Sequence, residues 1–191
     1  MTLKEWWKRW RATRGYGVHS PLAFRIVKNA VRPPRDVVYY GEERLDFFEE
    51  SGKKGKKVHP DFHTLRQAKF LLRFVAELQP AYVWLSPKLP MVFREAVSLA
   101  GCVVRIFDGK LFPAELDNSD MAVLSFDRIK KNDLKKFLRP GHSLIGFGLS
   151  RSFMDSVKSA MPGGIILEGT DSLVAVATPD PAVHSYRLLL P

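Results

Sequence analysis

The chain carries one cysteine, Cys102, which excludes an internal disulfide and a multi-cysteine zinc site. It lacks any run approaching the roughly 20 consecutive apolar residues that a membrane-spanning helix requires. Lys4, Lys8, Arg9 and Arg11 interrupt the apolar cluster near the start, which argues against a secretory leader. Acid is scarce as well: 20 Asp/Glu stand against 30 Lys/Arg in 191 residues, a net charge of +10. What is present is an ordinary apolar fraction, 46%, with 12% aromatic residues, enough to build a core and to exclude wholesale disorder. These features describe a soluble chain, expected in the cytoplasm.

The positive charge is uneven. Residues 1–60 hold 14 Lys/Arg against 7 Asp/Glu, and the first 35 hold 9 basic groups against a single acid, Glu5. Residues 61–191 are nearly balanced, at 16 against 13. The chain therefore divides into a basic, aromatic N-terminal helical segment, 1–60, and an α/β domain, 61–191. Leu3, Trp6, Trp7 and Trp10 fall at i, i+3, i+4 and i+7, one stripe of a helix flanked by Lys4, Lys8, Arg9 and Arg11. Such a stripe ordinarily docks onto its own chain or across a homodimer. With these cations beside it, it also suits an anionic partner, either a membrane surface or a nucleic acid.

Turn and cap chemistry marks the elements that follow. Arg14-Gly15-Tyr16-Gly17-Val18 reads as a turn, since both glycines can take positive φ. Ser20-Pro21 opens a helix with a capping hydroxyl and a proline that needs no N–H there, and Pro33-Pro34 closes it. Phe24, Val27 and Val31 share its expected buried face. A helix is predicted over Glu42–Glu50, then a positive, glycine-containing surface loop at residues 51–57. From Thr64 onward short apolar strands alternate with helices: a helix to Gln79, a strand at Ala81–Leu85, a helix at Met91–Ala100 and a strand at Cys102–Phe107. Asp120–Phe126, Ser143–Phe147 and Ile165–Leu167 continue the strands, with helices at Ile129–Leu138 and Phe153–Met161. Leu173–Ala177 and Tyr186–Leu190 follow as strands without helices between them. The pattern predicts a doubly wound, Rossmann-like α/β fold with a mostly parallel sheet, an antiparallel C-terminal edge and added N-terminal helices. A sheet of this kind opens a ligand crevice at the carboxyl ends of its strands, at the point where strand order reverses.

Arg14-Gly15-Tyr16-Gly17-Val18-His19-Ser20-Pro21, followed by a helix and the Tyr39-Tyr40 pair, resembles the N-terminal signature of a group of bacterial class I S-adenosylmethionine-dependent methyltransferases. The tail is similar too: Asp171-Ser172-Leu173-Val174-Ala175-Val176 precedes Pro179 and His184-Ser185-Tyr186-Arg187-Leu188. The resemblance implies a methyltransferase fold in which an acidic, glycine-rich loop after the first strand admits the methionine portion of the cofactor. In this chain that stretch is Leu85-Ser86-Pro87-Lys88-Leu89-Pro90-Met91. Leu85 stands where the resemblance implies an acid, and Pro87 where it implies the first glycine. Two prolines fix φ near −65° and remove N–H donors, which is incompatible with the usual path of that loop. Asp108, ending the second strand, falls where the family places an acid on the ribose hydroxyls. Ser125 takes the place of the fourth-strand acid, with Asp127 two residues beyond. Ser86, Asp108, Ser125 and Asp127 are thus the cofactor contacts implied if the chain is active.

No other chemistry is concentrated in the sequence. His59 and His63 have ligand-like spacing, but Pro60 and the want of a third ligand argue against a metal site. Gly146-Phe147-Gly148-Leu149-Ser150 lacks the Gly-Lys-Ser/Thr of a phosphate loop, and Cys102, without an adjacent base, reads as core. The expectation is a methyltransferase-fold protein without its cofactor loop, a non-catalytic binding or interaction module with no cofactor. An active methyltransferase using S-adenosylmethionine is the alternative. An adaptor for nucleic acid or membrane surface, working through the tryptophans, is a third reading.

Overall fold

The computed structural model describes all residues except 1, 16, 35–38, 40, 52–56, 102–104, 109–119 and 126–128; for Ser51, Lys57, Phe107 and Asp108 it describes the backbone alone. The expectations placed on Tyr40, Cys102 and Asp127 therefore lie outside the described residues.

Helix α1 (Leu3–Thr13) starts at Thr2, whose hydroxyl accepts the Glu5 N–H. Gly15 and Gly17 then turn the chain at φ +87° and +77°. Ser20 caps α2 (Pro21–Ile26) as its sequence predicts, accepting the Ala23 N–H. A π-helical turn, Val27–Val31, extends α2. Ala23, Ile26, Val27 and Ala30, at i, i+3, i+4 and i+7, are buried, while Phe24, expected inside, is 44% exposed and lies over Gly15. Helix α3 (Glu42–Asp46) is shorter than predicted, because Glu50–Ser51 (β1) leaves the helix to pair antiparallel with Lys57–Val58 (β2). The expected loop at residues 51–57 is thus paired at its two ends, and its residues 52–56 lie outside the described residues. Helix α4 (Phe62–Leu78) begins at Asp61, whose carboxylate accepts from the Thr64 N–H and hydroxyl. It stops where Gln79 takes φ +48° before Pro80. The Arg73 guanidinium grips both oxygens of Glu42 at 2.7 Å, tying α3 to α4.

The remaining elements form one sheet and its covering helices: β3 (Tyr82–Leu85), α5 (Met91–Ser98), β4 (Arg105–Asp108), β5 (Met121–Ser125), α6 (Lys131–Phe137), β6 (Ser143–Phe147), α7 (Arg151–Ala160), β7 (Gly164–Glu168), β8 (Leu173–Ala177) and β9 (Val183–Arg187). Strand order is β4-β3-β5-β6-β8-β7-β9. Successive side chains of a strand point to opposite faces, and both faces are covered. Val83, Leu85, Met121, Val123, Ile145, Phe147, Ile165 and Leu167 share a core with α2, α4 and α5. Trp84, Ala122, Leu124, Leu144 and Ile166 pack on the opposite face with α6 and α7. The chain is thus an α/β protein with a seven-stranded, mostly parallel sheet, compatible with a Rossmann-like fold.

The antiparallel strand is not at the edge. β8 inserts between β6 and β7 and runs antiparallel to both, while the edge strand β9 pairs parallel with β7. β8 follows β7 after four residues and takes the place beside β6, and the connection from β8 to β9 then passes across the first residues of β7. There the Gly164 N–H donates to the Ala182 carbonyl, and a side chain at Gly163 would overlap the Asp180 carbonyl oxygen.

The tryptophan helix also departs from expectation. α1 meets the body through the flank that adjoins the Trp6 edge of the stripe: Arg9 and Thr13 are 6% and 8% exposed, whereas Leu3, Trp6 and Trp7 are 83%, 37% and 51% exposed and Trp10 is half-buried. The Thr13 hydroxyl explains the orientation. It donates to the Arg9 carbonyl and accepts the Leu189 N–H at 2.8 Å, anchoring the polar side of the helix beside the end of the sheet.

Candidate functional site

The strand β3 is paired in parallel on both sides, with β4 and with β5, so successive crossovers leave it in opposite directions. This is the switch point at which such sheets open at their carboxyl ends. Register places Leu85 beside Asp108 on one side and beside Val123 on the other. The Ser86 N–H donates to the Val123 carbonyl at 3.0 Å, extending the ladder by one residue. Ser86 and Ser125 thus end neighbouring strands, and both are buried. The backbone of Asp108 lies at the same level; its carboxylate, like Asp127, is outside the described residues.

In the loop that follows, Pro87, Lys88 and Pro90 are exposed and Leu89 is half-buried. The Leu89 N–H closes a turn on the Ser86 carbonyl at 3.0 Å, and the Phe93 N–H is taken by the Pro90 carbonyl at 3.0 Å. Leu89 packs against the core shared by α4 and α5. Phe93, in the first turn of α5, meets Phe147 at the end of β6 with ring centroids 5.3 Å apart, and Phe147 stands edge-on to Phe70. Pro90 precedes α5 without a capping side chain. Apolar groups therefore line the entry to this helix, where a phosphate or carboxylate would otherwise find backbone N–H donors.

The two ends of the chain, which carry the most distinctive motifs, are joined directly. The Ser20 N–H donates to the Tyr186 phenol oxygen at 3.2 Å. With the Thr13–Leu189 bond, this seats the N-terminal helices on the edge of the sheet. Tyr39, near the same helices, donates to the Asn29 carbonyl, and burial, with the Glu77 carboxylate, pushes its phenol pKa up.

On α1, Trp7 stacks on Trp10 at 4.8 Å and Trp6 lies 6.3 Å from each of the other two rings. The Arg14 guanidinium lies over Trp10, 3.8 Å from its centroid. Beside Arg14, a recess of about 410 Å³ is lined by Phe24, Val27, Lys28 and Arg32 among others. A second recess, of about 640 Å³, lies between α1 and β9 and is lined by Lys4, Glu5, Lys8, Arg9, Tyr186 and Arg187 among others. Arg9 is not part of an exposed surface as expected: it is buried, and its Nη2 reaches Glu5 at 3.3 Å. Lys4, Lys8 and Arg11 are exposed.

The histidine pair is occupied otherwise. His63 Nε2 lies 3.0 Å from the Gln67 amide, and His59 Nδ1 lies 3.2 Å from the Phe48 carbonyl. Among the described residues no group of three His, Cys, Asp or Glu is placed to hold a metal ion. Gly146 serves packing, since a side chain there would strike the Leu149 methyls. Sequence reasoning passed over Glu168, which ends β7 at 1% exposure with Arg151 at 2.7 Å, Lys158 at 2.6 Å and Arg187 at 3.9 Å. An acid closing an apolar strand was the available signal. Its three cations come from α7 and β9, so it clamps these elements to the sheet.

No family model matches the chain, and no curated protein or solved structure matches it either; the α/β architecture is what its own residues establish.

Proposed function

We propose that this chain is a methyltransferase-like protein without the family's S-adenosylmethionine loop, serving as a non-catalytic binding or interaction module. The reading is supported by the resemblance at both ends of the chain and by a parallel sheet with one reversed strand, β8, inserted near its end. The observation that carries it is the Ser86–Pro90 segment. Its turn is closed by the Leu89 N–H on the Ser86 carbonyl, the half-buried Leu89 side chain packs against the core, and Phe93 and Phe147 occupy the inner side of the helix that follows. A nucleoside bearing a charged sulfonium and a carboxylate needs space and backbone donors at this place. These residues do not fit that group in the family's manner.

A second reading draws on the register that sets Leu85 beside Asp108 and on Ser86 and Ser125 at adjoining strand ends. It is an active methyltransferase holding S-adenosylmethionine through these residues and Asp127. Isothermal titration of the full chain with S-adenosylmethionine separates the two. The module reading expects no heat of binding; micromolar affinity that disappears in Asp108→Ala establishes the enzyme reading instead.

A further inference from the structure

We infer that the exposed tryptophan face of α1 is a docking surface for anionic lipid bilayers. The inference is independent of whether the sheet binds S-adenosylmethionine. It begins with the way the helix is seated: the flank beside Trp6 is buried, Trp10 is half-buried, and the rest of the stripe faces outward. An amphipathic helix of a globular protein turns its apolar stripe toward the core, yet α1 is anchored by Arg9 and Thr13 and presents Leu3, Trp6 and Trp7 outward. At 100° per residue, Leu3, Trp6, Trp7 and Trp10 span an arc of roughly 100°. Lys4, Lys8 and Arg11 lie along the flank of that arc farther from the buried Arg9 and Thr13. Arg14 extends the face by one turn and leads into the recess lined by Lys28 and Arg32.

Three occupants suit an exposed aromatic face, and the structure discriminates among them. A second copy of this chain would bring its own surplus of cations against the same flank, with each molecule at +10; like charges at that distance oppose the contact. A nucleic acid strand would need free ring faces on which bases stack. Here Trp7 and Trp10 stack on each other, and Arg14 covers Trp10. Leu3, 83% exposed, offers a base nothing. A bilayer asks for what is present: an apolar wedge of Leu and Trp at the depth of the acyl boundary, indole N–H groups among the headgroups, and cations level with the phosphates. The recess beside Arg14, with Lys28 and Arg32, has the charge and size to take one phosphate headgroup.

The test uses the full chain with two sets of vesicles, phosphatidylcholine alone and phosphatidylcholine with about a third phosphatidylglycerol. The chain is expected to float with the anionic vesicles and not with the neutral ones, with a blue shift of tryptophan emission. Trp84, buried in the core, provides a constant background to that shift. Leu3→Ser with Trp7→Ser is expected to abolish the shift, and Lys4→Glu with Lys8→Glu to weaken binding by at least about fivefold per charge. Neither pair touches Arg9 or Thr13, and an unchanged far-ultraviolet circular dichroism spectrum confirms that α1 stays folded. Absence of flotation at low salt overturns the inference, as does equal binding to neutral vesicles. So does tighter binding and stronger tryptophan quenching by single-stranded RNA, or a dimer in sedimentation that Trp7→Ser dissociates.

Discussion

At the scale of single residues, the sequence hides its most constrained positions behind ordinary ones. Pro162-Gly163-Gly164 reads as a helix stop, but Gly163 and Gly164 lie where another stretch of backbone crosses β7. A Cβ on Gly163 would meet the Asp180 carbonyl, and one on Gly164 the Val176 carbonyl, with Gly164 at φ +114°. Backbone on that side cannot retreat as a flexible side chain would. Gly163→Ala is expected to cost on the order of 3 kcal/mol or more in urea denaturation, the range reserved for such clashes. Asp61 is a position where the sequence is transparent. The Thr64 N–H, then the Thr64 hydroxyl, hold its carboxyl below its ordinary pKa, against a smaller opposing effect of burial. A depressed folded-state pKa contributes stability that is present above the unfolded-chain value and lost as pH falls through the folded one. Asp61→Asn, which keeps a capping oxygen but cannot titrate, is expected to flatten the acid limb of stability against pH.

Among elements, α1 is the instructive case. Its helical character, its tryptophan stripe and its cations are all legible in the sequence; the direction the stripe faces is not. Periodicity says which side chains share a face and is silent about which face finds a partner. The deciding contact is made by Thr13, a residue without hydrophobic signal, with Leu189 at a sequence separation of 176 residues. Thr13→Val keeps the shape, removes both hydrogen bonds of the hydroxyl and leaves the Leu189 N–H without its acceptor. The loss expected is about 1–3 kcal/mol, read as faster amide exchange at Leu189 and in α1. The same reasoning accounts for Phe24: the buried face of its helix is set by Ala23, Ile26, Val27 and Ala30, two of them alanines, which periodicity does not rank above a phenylalanine. For β8 and β9, the strands themselves are legible from Leu173–Ala177 and the apolar tail, while the place of β9 depends on a crossing that brings the Asp180 carbonyl against Gly163.

For the molecule as a whole, the alternation of apolar strands with helices suffices to specify a parallel sheet covered on both faces. The candidate site is legible to a lesser degree. Ser86 and Ser125 end neighbouring strands, because strand ends are fixed by sheet topology. The turn of Leu89 into the core and the meeting of Phe93 with Phe147 join three separate stretches of chain, which local patterns do not encode. The clamp on Glu168 escapes for the same reason, since its cations lie on α7 and β9.

The bonds from Ser20 to Tyr186 and from Thr13 to Leu189 also impose an order on biosynthesis. Chains emerge from the ribosome at about 5–20 residues per second, so the first two helices leave it many seconds before their seat on the last strand exists. Through that interval a cationic helix bearing three indoles has no docking partner at the sheet edge. A nascent chain in this state is a natural client for a chaperone, or for whatever anionic surface lies nearest the exit tunnel.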